Sequence, residues 1–177
     1  MERSSLRAKG VVFWPTLVAV VALDYATKWL VVRYLVEEYT PHPTVFGNLV
    51  RMTLAFNTGA AFSMSVGDSS RWVFTALALL ALLVLARVYR ATKPDDRARA
   101  LALALVCAGA IGNVIDRLRP GSKGVIDFID VGFGSVRFYT FNVADVGVSF
   151  GALLLAWVLW RDDREPAPAV LQESGSS

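Results

Sequence analysis

Carboxylates and carboxamides gather at three places in a chain otherwise rich in alanine, leucine and valine. They are Asn113 with Asp116 and Arg117, Asp127 in Val125-Ile126-Asp127-Phe128, and Asn142 with Asp145 in Phe141-Asn142-Val143-Ala144-Asp145. All three interrupt helix-length apolar stretches. An ionisable side chain at membrane depth costs roughly 2.5 kcal/mol or more by insertion scales, so such clusters mark a functional site. Two carboxyl groups brought close together cannot both ionise easily; they share a proton and can serve as base and acid. That arrangement activates water for attack on an amide, and neighbouring Asn side chains can hydrogen-bond a substrate backbone or the developing oxyanion. Arg117 adjoins Asp116 and is expected to engage it, which leaves Asp127 and Asp145 as the carboxylates most nearly free. Asp130, one helical turn or one strand step beyond Asp127, is the rival.

Asp24 and Lys28 stand one helical turn apart in the first apolar run, where opposite charges at that spacing lower the cost of burying either. A structural ion pair and a direct role toward substrate are both compatible with this spacing. Asn57 adds a further amide from the first connection. The single cysteine, Cys107, falls mid-span as a packing residue, and the single histidine, His42, sits between two prolines with no second His or Cys nearby. Neither a zinc site nor a Cys/His nucleophile is expected, and no cofactor is implied.

The elements that must position these groups are membrane helices. The chain has 177 residues, 55% of them hydrophobic. Windows 11–32, 72–89, 98–115 and 143–160 each approach the roughly 20 apolar residues a spanning helix needs. The expectation is an integral membrane, mostly α protein. One four-helix domain occupies 1–161, with connections at about 34–71 and 119–142, and a polar, disordered cytoplasmic tail occupies 162–177. The first run is too long for a signal-peptide core, carries Asp24 and Lys28, and lacks a small-x-small cleavage site, so it reads as a retained helix. Basic residues Arg3, Arg7, Lys9, Arg87, Arg90, Lys93, Arg97, Arg99, Arg161 and Arg164 fall on one side, which the positive-inside tendency makes cytoplasmic, with both termini. The net charge of +3 forms no stripe that would bind nucleic acid.

The two connections on the opposite side are patterned. Val50 to Phe56 alternates, as does Val136 to Phe141 with Arg137 and Tyr139 outward, and glycines punctuate both. A small twisted β-sheet platform with a loop is expected on the external face, rich in aromatic residues suited to the interface.

Taken in order, Asp24 with Lys28, Asn57-Thr58-Gly59-Ala60-Ala61-Phe62, Gly112-Asn113-Val114-Ile115-Asp116-Arg117, Val125-Ile126-Asp127-Phe128 and Phe141-Asn142-Val143-Ala144-Asp145 resemble the motif set of bacterial lipoprotein signal peptidase. The resemblance runs from Asp24 to the end of the fourth span. It implies a metal-free aspartic endopeptidase of the bacterial inner membrane that removes the signal peptide from diacylglyceryl-modified prolipoproteins just before the lipidated cysteine. Carried over by motif, Asp127 and Asp145 are the catalytic pair. Asn57, Gly59, Asn113, Asp116, Arg117, Asn142 and Ala144 line or brace the site, and Asp24 and Lys28 support it from the first helix. Partners would be the lipid bilayer and prolipoprotein substrates, acting on a monomer. Val125-Ile126-Asp127 stands where Val-Val-Asp is commoner, a swap that keeps size and apolarity.

Other classes are distinguishable. A proton-coupled transporter could also bury carboxylates, but transporters show internal repeats and midplane sites, and no repeat is visible here. A metal-dependent lipid phosphotransferase would want more ligands at binding spacing. A purely structural subunit predicts that Asp127 and Asp145 are dispensable.

Overall fold

The expected apolar windows become four long helices in the computed structural model, which describes residues 2–35, 44–45, 48–58 and 69–164. The helices are α1 (Glu2–Tyr34), α2 (Ser70–Ala91), α3 (Arg97–Leu118) and α4 (Val143–Asp162). Each contains a stretch long and apolar enough to cross a membrane. His42 and the segment beyond residue 164 lie outside the described residues.

Helix α3 is the centre of the bundle, packing mainly on α4 and α1 and then on α2. Its sequence explains this. Ala100, Ala104, Cys107, Ala108, Gly109 and Gly112 are all buried, and small side chains let helices approach closely where lipid supplies no hydrophobic drive for association. At Gly109 the approach is closest: a methyl group there would collide with the Ala144 carbonyl and the Val148 side chain of α4. Cys107 packs with Phe13, Leu103 and Ala104 in the core. Trp72, Leu80, Leu83, Phe150 and Leu153 point away from the bundle, as lipid-facing residues should.

At one end of the bundle, charged side chains close the helix termini. Asp96 caps α3 by accepting the Arg99 N–H at 2.9 Å, and Arg99 also pairs with Asp162 of α4. Lys9 is buried and donates to the Tyr89 carbonyl at 2.8 Å and to those of Arg90 and Thr92, supplying donors where the C-terminal end of α2 runs out of backbone N–H groups.

The other end carries the sheet. Strands β1 (Thr44–Val45), β2 (Val50–Asn57), β3 (Val125–Phe133) and β4 (Val136–Arg137) run antiparallel in that order. Leu54, Ile126 and Phe128 form a second core with Val31 of α1, which seats the sheet on the bundle. Gly124 has φ +134°, and any side chain there would strike the Asn57 carbonyl, so glycine lets β3 start flush against the end of β2.

Two details differ from the sequence reading. The longest strand, β3, opens with four consecutive buried residues, and a strand buried on both faces shows no alternation to detect. Conversely, the strand expected over 136–141 stops at Arg137. That side chain does not stand outward: its Nε meets Asp130 Oδ1 at 2.9 Å, and its remaining N–H groups donate to the carbonyls of Asn48, Asp130 and Gly132. Tyr139 is exposed as expected.

Candidate active site

Helices α1, α3 and α4 and strand β3 converge on a layer of polar side chains beneath the sheet. Lys28 is its electrostatic centre. The ammonium Nζ lies 2.7 Å from Asp24 Oδ2, one turn away on α1, and 2.8 Å from Asp116 Oδ2 on α3, and donates to Asn113 Oδ1 at 3.3 Å. The two carboxylates pass the connection on. Asp24 Oδ1 accepts the Ala144 N–H in the first turn of α4 at 2.9 Å, and Asp116 Oδ2 accepts the Ile126 N–H of β3 at 3.1 Å. Lys28, Asp24 and Asp116 are 3%, 1% and 4% exposed, and burying charges this deeply is sustainable only because each finds an opposite charge and further hydrogen bonds. The expected Asp116–Arg117 engagement is not what holds Asp116. Consecutive residues on a helix point to different faces; Arg117 Nη1 instead donates to the Asn113 carbonyl at 3.3 Å, with its charge near Asp145, Asp127 and Asp116.

The carboxyl pair is organised by Asn142. The backbone of Phe141 docks on β3, exchanging hydrogen bonds with Ile129 at 2.8 and 3.0 Å. The next residue, Asn142, is thereby set beside Asp127 and caps α4. Its Oδ1 accepts the Asp145 N–H at 2.9 Å, and Asp145 Oδ2 accepts the Asn142 N–H at 3.2 Å, a reciprocal capping box. The same side chain sends Nδ2 to Asp127 Oδ1 at 2.7 Å, to Asn113 Oδ1 at 3.2 Å and to the Ile126 carbonyl at 3.2 Å. Asn113 Nδ2 in turn donates to Asp145 Oδ1 at 2.8 Å. Asn57, at the end of β2, hydrogen-bonds Asp127. Burial pushes the Asp127 carboxyl up to about 7, and the nearby Asp145 charge adds to this; hydrogen bonds from Asn142 and Asn57 and the Lys28 charge hold it back.

Residues 16–161 match the family model described as Signal peptidase (SPase) II. The chain belongs to that family. It is 43% identical over 143 residues to the lipoprotein signal peptidase of Geobacter metallireducens, covering 80% of this chain and 86% of the relative. Against the lipoprotein signal peptidase of Hydrogenovibrio crunogenus it is 42% identical over 146 residues, covering 80% of each. A solved structure described as a bacterial membrane enzyme superposes with a TM-score of 0.73 at 27% identity, covering 86% of this chain and 91% of the other.

In this signal peptidase II homologue the structure brings together nearly all the residues singled out from the sequence. Asp24, Lys28, Asn57, Asn113, Asp116, Arg117, Asp127, Asn142, Ala144 and Asp145 belong to one connected cluster. Ala144 contributes through its backbone N–H and its small, fully buried methyl group. Gly59 lies outside the described residues. Asp130 is separated from the cluster by its pairing with Arg137. One participant had no side-chain signal: Ile126 takes part through its N–H and C=O, which any residue would supply. Among the described residues, no three His, Cys, Asp or Glu side chains are grouped to hold a metal ion.

Proposed function

We propose that this member of the signal peptidase II family is an aspartic endopeptidase that removes the signal peptide from prolipoproteins, cutting immediately before the diacylglyceryl-bearing cysteine. Asp127 and Asp145 are the catalytic pair. The observation that carries this reading is the shared asparagine: one Asn142 side chain hydrogen-bonds Asp127 and caps the helix that bears Asp145. A pair so placed, with one carboxyl near 7, can hold a single proton at neutral pH.

The chemistry follows from two carboxyls in different protonation states. The ionised member takes a proton from water as the water attacks the scissile carbonyl, and the protonated member gives its proton to the carbonyl oxygen. The tetrahedral intermediate then collapses with proton return to the leaving amine. Asn57, at the rim of the sheet, is suited to hold the substrate backbone. Asn113, Asp116, Arg117, Asn142 and Ala144 brace the pair, with Asp24 and Lys28 behind them.

The basic residues near the Lys9 end of the bundle support a cytoplasmic placement for that end, with the sheet and the pair at the extracytoplasmic face of a bacterial inner membrane. The peptidase unit is residues 1–161 acting as a monomer, with 162–177 as a cytoplasmic tail. The lipid-facing helices suit sideways entry, the substrate's acyl chains staying in the bilayer. Transport, the alternative drawn from the sequence, finds no support in the family to which the chain belongs.

The test is cleavage of a diacylglyceryl-modified prolipoprotein by purified protein in liposomes. Cutting before the lipidated cysteine that resists chelator and is lost in Asp127→Asn and Asp145→Asn is the expected result. Full activity in either variant, or loss with chelator alone, would reject the aspartic mechanism.

A further inference from the structure

Asn113 stands between the Lys28 ion cluster and the carboxyl pair, and its amide has one orientation open to it. One end faces Lys28 Nζ at 3.3 Å and Asn142 Nδ2 at 3.2 Å. An ammonium carries donors and no acceptor. Asn142 Nδ2 is likewise fixed as a donor, because Asn142 Oδ1 is committed to the Asp145 N–H at 2.9 Å. The end of Asn113 that faces both must therefore be Oδ1; a flipped amide would set its NH2 against two donors. Its NH2 is thereby aimed at Asp145 Oδ1, at 2.8 Å, while Asp145 Oδ2 accepts the Asn142 N–H at 3.2 Å. Both oxygens of Asp145 therefore receive N–H donors.

Taking Asp127 and Asp145 as the catalytic pair, as proposed above, we infer that Lys28 assigns the shared proton. By fixing the Asn113 amide with its NH2 toward Asp145, Lys28 keeps Asp145 as the base and Asp127 as the proton-bearing acid. Lys28 is a positioning residue that acts through Asn113. The other charged groups around it do not make this choice. Asp24 on α1 and Asp116 on α3 neutralise Lys28 and are turned to the backbone of Ala144 and Ile126. Arg117 of α3 acts on Asp145 and Asp127 together. Tyr25 and Arg119 line the outer side of Lys28, in a cleft between α1 and α3, and the Asp130–Arg137 pair lies farther along β3.

The experiment is the pH dependence of kcat/KM for cleavage of a diacylglyceryl-modified prolipoprotein in detergent. It compares wild type, Lys28→Arg, Lys28→Gln, Asn113→Leu and the Lys28→Gln/Asn113→Leu double variant. Arginine is also a donor-only cation and should keep the wild-type profile. Glutamine offers an acceptor and leaves the Asn113 amide held by Asn142 Nδ2 alone, and leucine removes the amide. In both, the acid limb, where the pair takes up its second proton, should move up by about 1 pH unit. The double variant should add little to Asn113→Leu, since the two residues act in series. A mere structural brace would instead lower the rate equally at every pH, which overturns the assignment. Because the Lys28 charge also acts directly on Asp127, a limb that moves in Lys28→Gln but not in Asn113→Leu, or shifts that add in the double variant, overturns it too. Should Lys28→Gln fail to fold, Asp24→Asn/Lys28→Gln keeps the net charge of the cluster and carries the same expectation, an unmoved acid limb again overturning it. Asp127→Asn and Asp145→Asn run in parallel: full activity in either would remove the catalytic pair itself, separately from any effect at Lys28.

Discussion

Asn142 Nδ2 lies 2.7 Å from Asp127 Oδ1, so the residue that starts α4 also restrains the carboxyl carried by β3. Capping and catalytic positioning can be separated by substitution. Asn142→Asp retains an oxygen for the Asp145 N–H and should keep most of the helix stability, yet it sets a third carboxylate against Asp127. Activity should fall by at least about 100-fold with little change in Tm. Asn142→Ala should lose the cap as well, at about 1 kcal/mol, together with activity. Thermal melts in detergent beside a cleavage assay distinguish the two.

The raised Asp127 carboxyl makes stability depend on pH in a stated direction. The folded form keeps its proton up to about 7, whereas an ordinary aspartate releases it near 3.8. Below the lower value both states are protonated and the contribution is fully present; as pH rises through the interval the folded protein binds the extra proton, so stability falls and stays lower above about 7. Asp127→Asn should therefore be more stable than wild type at pH 8, by on the order of 1 to 4 kcal/mol, and equal to it near pH 3. Denaturation measured across this range checks the sign.

Catalysis should decline on the alkaline side for the same reason. Loss of the Asp127 proton removes the acid of the pair, giving a fall in kcat/KM with a midpoint near the value of about 7 set by burial and Asp145. A rate that stays level to pH 9 would contradict the role given to Asp127.

Asp130 provides the control carboxylate. Its partner is Arg137, and the pair ties β3 to the β4 hairpin. Asp130→Asn should leave cleavage within about twofold of wild type and cost about 1 kcal/mol of stability. A loss of activity comparable to that of Asp145→Asn would move the site along the strand.

Gly109 transmits helix spacing to the site. A methyl group there meets the Ala144 carbonyl, and Ala144 lies next to Asp145. Gly109→Ala should push α4 from α3, cost about 1 to 3 kcal/mol and lower activity, because Asp145 moves relative to Asn113. Gly147→Ala, whose added carbon would lie 3.3 Å from the Leu105 carbonyl, should be milder on both counts. Equal effects from the two variants would argue against spacing as the cause.

The four helices and nearly the whole polar cluster are legible in the sequence, because charges and amides are conspicuous in apolar surroundings. Contacts made by backbone or by the far face of a helix are not. Adjacency alone pairs Asp116 with Arg117, while its partner, Lys28, arrives from another helix. Strand β3 was hidden because Val125 to Phe128 is buried on both faces, which erases the period-two pattern. In the short β4 the opposite holds: alternation points Arg137 outward, but a half-buried carboxylate and three carbonyls outweigh hydration of its guanidinium.

The spacing of Asp24 and Lys28 also bears on how the chain is made. The first helix reaches the bilayer long before Asp116 has been synthesised, so a lone lysine would wait in lipid without a counter-ion. With Asp24 one turn away at 2.7 Å, the nascent helix carries its own neutralising partner, and the later arrival of Asp116 completes the cluster without first having to rescue a stranded charge.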